Sequence, residues 1–384
     1  MKSLRIQSEK DIILLDPTRE SIDYGNEQVK ILKNDSRKEN DIFRGAVYEF
    51  MSCKYYNLPL INNEDYDTKF TFDNNIYTMD FKSNAAALNT VINPQLHYSV
   101  NLFCINQNTV LYNAGRIDND KKFNPKKIAI TGVESREEFL DRKVHNSAGR
   151  NDQGSWDENW AVLFKDMYKA DPKDFSKPLL YPKIKRCMNE LFFDAMNCKN
   201  HFTKTSFILT NMNYKILFKE TSQNYSPISF KRMSETAKYT SEFNSTRDSI
   251  SRLIERKCEH DKYAGYDEVI LFSPGIPPIE LGEKIIKSGI KKIVIWDLWD
   301  NLQNSVDEWK NVNSSSEIYL KENDISIIRF DGVVTSPVLF RNETYHQKKY
   351  KNKQYENSEF RLENIEREEL TKIEIDENGK YKKC

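Results

Sequence analysis

Short apolar runs separated by polar turns set the pattern of the first half of the chain. Residues 12–15, 68–72, 76–82, 98–105 and 127–131 are rich in aromatic and β-branched side chains, which predicts strands. Residues 42–56 carry apolar side chains at helical intervals. From Ser135 the run SREEFLDRKVHNSAGRN predicts a helix through residue 151, with Ser135 as cap and Glu138 in capping-box spacing, ending in a loop at Gly149 and Gly154. Prolines 172, 178 and 182 then predict a linker. Beyond it the pattern predicts a helix over 183–198, strands over 206–210 and 214–219 around a turn at 211–213, a long loop, and a helix over 244–258. A strand over 268–272, a proline turn and a helix over 279–288 follow, with Gly289 in the C-terminal capping position. Strands over 292–296 and 325–330 complete it, Trp296, Trp299 and Trp309 are expected to cover the sheet edge, and the charged tail from Arg341 reads as a surface helix or partly disordered.

Strands and helices mixed in both halves predict an α/β protein with a first domain over 1–170, a linker over 171–182, a second domain over 183–340 and a tail over 341–384. Twenty-one Phe and 20 Tyr supply bulk for two cores. The 58 basic and 58 acidic residues cancel, so no surplus charge draws the whole surface to phosphate; nucleic acid would have to enter through a local site. The basic groups at Lys183, Lys185 and Arg186 and at residues 348–353 read as solvated surface. No apolar stretch approaches the roughly 18 residues of a membrane span, and the opening Met1-Lys2-Ser3-Leu4-Arg5 lacks a secretory apolar core. The expectation is a cytoplasmic protein without membrane association. Six scattered cysteines without a CxxC pair imply reduced thiols, and five histidines show no metal-ligand spacing; Cys258 and His260 read as a buried thiol and a surface imidazole.

The segment from Val269 to Ile295, VILFSPGIPPIELGEKIIKSGIKKIVI, resembles the strand, PCxxC turn, helix and strand of the zinc-dependent dCMP and cytidine deaminases. Residues 186–198 resemble that family's first helix and 205–219 its hairpin, while Gln223-Asn224-Tyr225-Ser226-Pro227 resembles its sugar-contacting loop and Thr240-Ser241-Glu242 its HAE motif. The resemblance implies a three-layer α/β/α domain in the C-terminal half, with a divergent α/β domain before it. It also implies a zinc held by one His and two Cys, with a glutamate moving protons. Thr240, Gly275 and Pro278 stand at the three ligand positions and cannot hold zinc. The expectation is therefore a deaminase-like domain without hydrolysis, with Glu242 a remnant of the proton shuttle. It would use no cofactor, bind a (deoxy)nucleotide through Asn224, or assemble with a copy of itself or a partner protein. Residues 330–340 are similar to the ending of the large antiviral nucleotide deaminases, which carry a P-loop kinase-like domain ahead of the deaminase. Residues 127–152, and a short turn at 113–116, are similar in shape to the end of that first domain, so a role in nucleotide metabolism or virus-host conflict follows from the resemblance. No GxxxxGK[ST] phosphate loop is present, which makes any such domain degenerate.

A second constellation competes. Asp67, a turn at residues 73–75, and Asp80-Phe81-Lys82 give D-x12-D-x-K, with Glu49 upstream on the expected helix. This spacing resembles the PD-(D/E)xK nucleases: two carboxylates on adjacent strands to grip Mg²⁺, and a lysine to position or activate water. The simpler reading is an exposed hairpin whose charges pair across strands. A third reading is an interaction protein in which neither site works.

Overall fold

The computed structural model describes the chain apart from residues 1–5, 7, 33–38, 62–65, 87–96, 102–107, 119–122, 143, 147–148, 152–153, 157–158, 164–166, 172–174, 199–202, 223–233, 265–267, 342, 348–369, 376–380 and 383–384. It divides into two compact units, Met1–Pro182 and Lys183–Lys349, the second joined by Glu368–Cys384.

In the first unit β1 (Ile13–Leu15) leads to α1 (Arg19–Ile31) and α2 (Glu39–Tyr56), then β2 (Thr68–Phe72), β3 (Asn75–Ala86), β4 (His97–Asn101), β5 (Leu111–Asp118) and β6 (Ile128–Ser135). Thr18 caps α1, its hydroxyl accepting from the Ser21 amide at 3.2 Å. A five-stranded sheet in the order β1-β6-β5-β3-β2 forms the centre. Only β3 and β5 run parallel in it; the other neighbours are antiparallel. One face carries α2, whose Phe43, Val47, Tyr48 and Met51 pack with Phe70, Met79, Phe81 and Ile117. On a strand alternate residues face opposite ways, so Asp80 and Lys82 lie on the face away from Met79 and Phe81. The other face is covered by a second apolar cluster that includes Ile6, Tyr112, Phe139, Val162 and Met167.

After β6 come α3 (Arg136–Arg142), β7 (Val144–Asn146), β8 (Gly149–Asn151), β9 (Gly154–Trp156) and β10 (Asn159–Leu163). β7 and β8 stand where the expected helix would have continued to residue 151, β7 in the sheet β4-β10-β7 and β8 in a hairpin with β9. Ser135 does cap α3, accepting from the Glu138 amide at 3.1 Å, but the helix stops at Arg142. The turn expected at 113–116 lies instead inside β5, a buried strand between two others. A mostly parallel sheet, the support of a phosphate loop in kinase-like domains, is not the architecture of this unit. Three of its four neighbouring strand pairs are antiparallel.

The division between units falls inside α4 (Ser176–Asn197), which includes Pro178 and Pro182 where an open linker was expected. Pro178 falls in the first turn, where its missing N–H costs nothing; Pro182 lies deeper, as the helix-internal proline. The second unit continues with β11 (Ser206–Asn211), β12 (Ile216–Thr221), α5 (Glu235–Ala264), β13 (Val269–Ser273), α6 (Gly282–Lys287), β14 (Ile290–Trp296), α7 (Asp297–Asn304), α8 (Asp307–Glu322) and β15 (Ser326–Phe330). The sheet order is β12-β11-β13-β14-β15, with β13, β14 and β15 mutually parallel and β11 antiparallel to both neighbours. Parallel strands must be joined by crossovers, here α6 and the α7-α8 pair. Ile250, Leu253 and Ile285 of the helices pack on Leu271, Ile293 and Ile295. On the opposite face Phe192 of α4 stacks edge-on against Trp296 at 4.9 Å. The result is an α/β/α sandwich. Gly289 sits at φ 76° directly after α6, the left-handed position glycine adopts without strain.

α5 starts nine residues before the expected 244, with Ser234 at its cap. Trp296, Trp299 and Trp309 are wholly inside, not at an edge. β16 (Val338–Phe340), β17 (Glu343–Gln347), β18 (Leu370–Ile375) and β19 (Tyr381–Lys382) pair in a four-stranded sheet, so the described residues of the tail are largely strand. No helix among the described residues is long and apolar enough to cross a membrane.

Candidate functional site

In the second unit Glu242 is buried on α5. Its Oε1 accepts from the Thr203 hydroxyl at 2.8 Å, and its Oε2 from the Trp309 indole at 3.2 Å. Arg341, in the turn between β16 and β17, donates Nε to both oxygens at 3.2 Å and Nη2 to Oε2 at 2.9 Å. With donors on both oxygens, the carboxylate serves as a structural acceptor. The expected remnant of a proton shuttle is thus tied into an ion pair with its own chain.

Of the positions expected for zinc ligands, one is exposed and two are buried. Thr240 is exposed and gives its hydroxyl proton to the Thr236 carbonyl of its own helix at 2.8 Å. Gly275 and Pro278 are buried, and a Cβ built on Gly275 would meet Gln303 Oε1 at 2.0 Å and Trp299 Cδ1 at 3.2 Å. The side chains of α7 thus fill the space a cysteine would need. Gly275→Ala is expected to lose about 1–3 kcal/mol of stability through this overlap. A denaturant melt of Gly275→Ala beside Gly275→Ala/Gln303→Ala checks it, the second change restoring part of the loss. Asn224, the expected sugar contact, lies outside the described residues. Cys258 is exposed and His260 stacks on Phe218 at 5.3 Å, so they do not combine.

The first unit brings together what the second keeps apart. Glu49 on α2, and Asp80 and Lys82 on β3, all act on Asp67, which stands just before β2. The hairpin aligns its arms by pairing Thr68 with Met79. The Asp67 amide donates to the Met79 carbonyl at 3.1 Å, and the Phe81 amide donates to the Asp67 carboxylate at 2.6 Å. Lys82 Nζ stands 2.6 Å from Asp80 Oδ2, with both side chains largely buried. Burial, then the charges of Glu49 and Asp80, raise the Asp67 carboxyl well above the ordinary carboxylate range, while Lys82 opposes them.

All three acids offer hard oxygen donors, the chemistry of a Mg²⁺ site. Asp67 and Asp80 lie against each other, a repulsion that a divalent cation would relieve. No three His, Cys, Asp or Glu side chains among the described residues are already converged on a metal position, and Lys82 holds one side of Asp80. The exposed-hairpin reading does not hold at Asp80, which is buried at 6% exposure.

Two solved structures are similar to part of this chain. One is a dCMP deaminase from the cyanophage S-TIM5 in complex with dCMP and dUMP, at 14% identity and a TM-score of 0.23. The other is the dCMP deaminase of the same phage in apo form, at 15% and 0.22. Each match covers 39% of this chain and 98% of the other. A likeness at this level says nothing about chemistry. No protein-family model and no curated protein matches the chain.

Tyr112, Glu134 and Arg136 border the acid cluster but were not singled out from sequence. On β5, Tyr112 is the direct partner of Asp80 on β3 and of Glu134 on β6. Burial, chiefly, and the charge of Asp80 push its phenol up to about 12. The signal was the alternation within LYNAGRID, obscured by reading its centre as a turn. Arg341 was equally hidden, 99 residues from Glu242 in sequence.

Proposed function

We propose that this protein is a metal-dependent nuclease whose chemistry resides in the first unit, with the deaminase-like second unit acting as a non-hydrolytic recognition module for a nucleotide or a partner protein. The observation that carries this reading is the buried juxtaposition of Asp67, Asp80 and Lys82 beside Glu49. Two acids from adjacent strands and a lysine two residues beyond the second form a set suited to phosphodiester hydrolysis. The ion-paired Glu242 and the filled space beside Gly275 support the non-hydrolytic role of the second unit.

Asp67 and Asp80, with Glu49 close by, would hold Mg²⁺. When bound, the ion supplies positive charge for the scissile phosphate and acidifies water. Lys82 orients the attacking water and the phosphate through its ammonium protons. Hydrolysis adds that water across one P–O bond: its oxygen bonds to phosphorus, the bridging bond breaks, and the departing oxygen takes a proton. The products are one phosphate-bearing end and one hydroxyl end.

Purified protein is expected to cleave double-stranded DNA, single-stranded DNA or RNA with Mg²⁺ and not with a chelator. Asp80→Ala is expected to reduce the rate by about 10³-fold, the scale of several kcal/mol of charge stabilisation. Failure of the wild type to cut any of the three polymers with Mg²⁺ or Mn²⁺ would remove the proposal.

A further inference from the structure

We infer that Tyr112 is a positioning residue of this site, its hydroxyl serving as the alternative partner that lets Asp80 release Lys82 toward a phosphodiester. The inference rests on the nuclease reading and extends it to a residue outside the acid-lysine motif. In the structure Lys82 is tied to Asp80 at 2.6 Å, so a lysine that is to meet substrate must leave that carboxylate. A buried carboxylate that loses its partner pays heavily unless another donor takes over. Tyr112 is the adjacent donor on the sheet: it is in register with Asp80 across the parallel β3-β5 pair, which places both side chains on one face.

Its surroundings suit the role. The ring is fixed edge-on against Phe139 at 5.3 Å within an apolar cluster, so the hydroxyl has a defined position. The side chain is wholly buried, yet its hydroxyl has no hydrogen-bond partner among the described residues. Buried tyrosine hydroxyls are ordinarily bonded. The charged groups around this one are Asp80 and Lys82 of β3, Glu134 of β6 and Arg136 at the start of α3. Asp80 and Glu134 are both in register with Tyr112, and Asp80 is the one of the two held by Lys82.

Tyr112→Phe removes the hydroxyl alone. In a Mg²⁺-dependent cleavage assay on the full-length protein, kcat is expected to fall about 10–100-fold, the worth of one hydrogen bond to a carboxylate, while KM for the polymer stays unchanged. The melting temperature should hold or rise, because the variant no longer buries a polar atom without a partner. Phe139→Leu, which loosens the packing of the ring and leaves the hydroxyl in place, is expected to lower the melting temperature and to lower kcat by less than Tyr112→Phe does. Wild-type kcat in Tyr112→Phe overturns this inference and leaves the nuclease reading standing. An equal loss of kcat in Phe139→Leu also overturns it, since the residue would then act through packing alone. Absence of cleavage by the wild type overturns both.

Discussion

Replacing Asp67 by Asn is expected to stabilise the metal-free protein at neutral pH while lowering Mg²⁺-dependent cleavage by about 10³-fold or more. The two effects have one cause. Asp67 is crowded by Glu49 and Asp80 in a buried setting, and these raise its carboxyl above the ordinary value. A carboxyl raised in the folded state contributes stability that is fully present below the unfolded value of about 3.9. That contribution is lost as pH rises through the folded value, so at neutral pH the wild type bears the repulsion. Asn removes the charge and keeps an acceptor for the Phe81 amide. Its own N–H₂ can donate to Asp80. The gain should be about 1–3 kcal/mol, the scale of a poorly compensated buried polar group. Chemical denaturation from pH 4 to 8 would show the wild type losing stability with pH and Asp67→Asn staying flatter. Mg²⁺ should narrow the gap by stabilising the wild type alone. A variant less stable than the wild type at pH 7 without metal would contradict this account, as would a variant that retains cleavage.

Arg341→Ala is expected to cost about 3–5 kcal/mol, the loss seen when one partner of a buried ion pair is removed. Glu242 lies within the core of the second unit, and Arg341 supplies donors to both of its oxygens; its remaining guanidinium nitrogen Nη1 reaches Glu235 at 2.8 Å. Truncation leaves Thr203 and Trp309 as the donors and a buried charge without its cation. Arg341→Lys should recover only part of the loss, because a single ammonium cannot reproduce the forked contact. Urea melts of Arg341→Ala, Glu242→Ala and the double variant would yield the coupling between the two residues. The double variant should be less unstable than the sum of the single losses. Additive losses would show that the pair is not the unit that closes this interior.

Strands β2 and β3 were readable because apolar and β-branched residues alternate around the Asp73-Asn74 turn, whose positive φ values those residue types tolerate. The spacing of Asp67, Asp80 and Lys82 followed directly, since a hairpin puts its arms side by side. The helix-strand order of the second unit was likewise legible from periodicity and from Gly289. Elements whose signals lie in packing were not. β5 is buried on both faces and carries a glycine and a polar Asn113, which the core accepts because Tyr48 donates to Asn113 Oδ1 at 2.7 Å and Asn113 donates to Tyr56 at 2.8 Å. The helices α7 and α8 escaped notice because their tryptophans were assigned to a sheet edge, whereas tertiary contacts draw them inside.

By itself the sequence determined the α/β class, the acid-lysine hairpin, and the lack of zinc-ligand side chains at residues 240, 275 and 278. These depend on residue identity and on spacings within one or two neighbouring elements. Tertiary structure alone decided what surrounds those residues. It turned Glu242 from a remnant of chemistry into the anchor of Arg341, filled the space beside Gly275 with Gln303, and set Tyr112 and Glu49 around the acids of the hairpin. Such outcomes depend on burial and on partners distant in the chain, and the energy of a charged or polar side chain is set by what surrounds it.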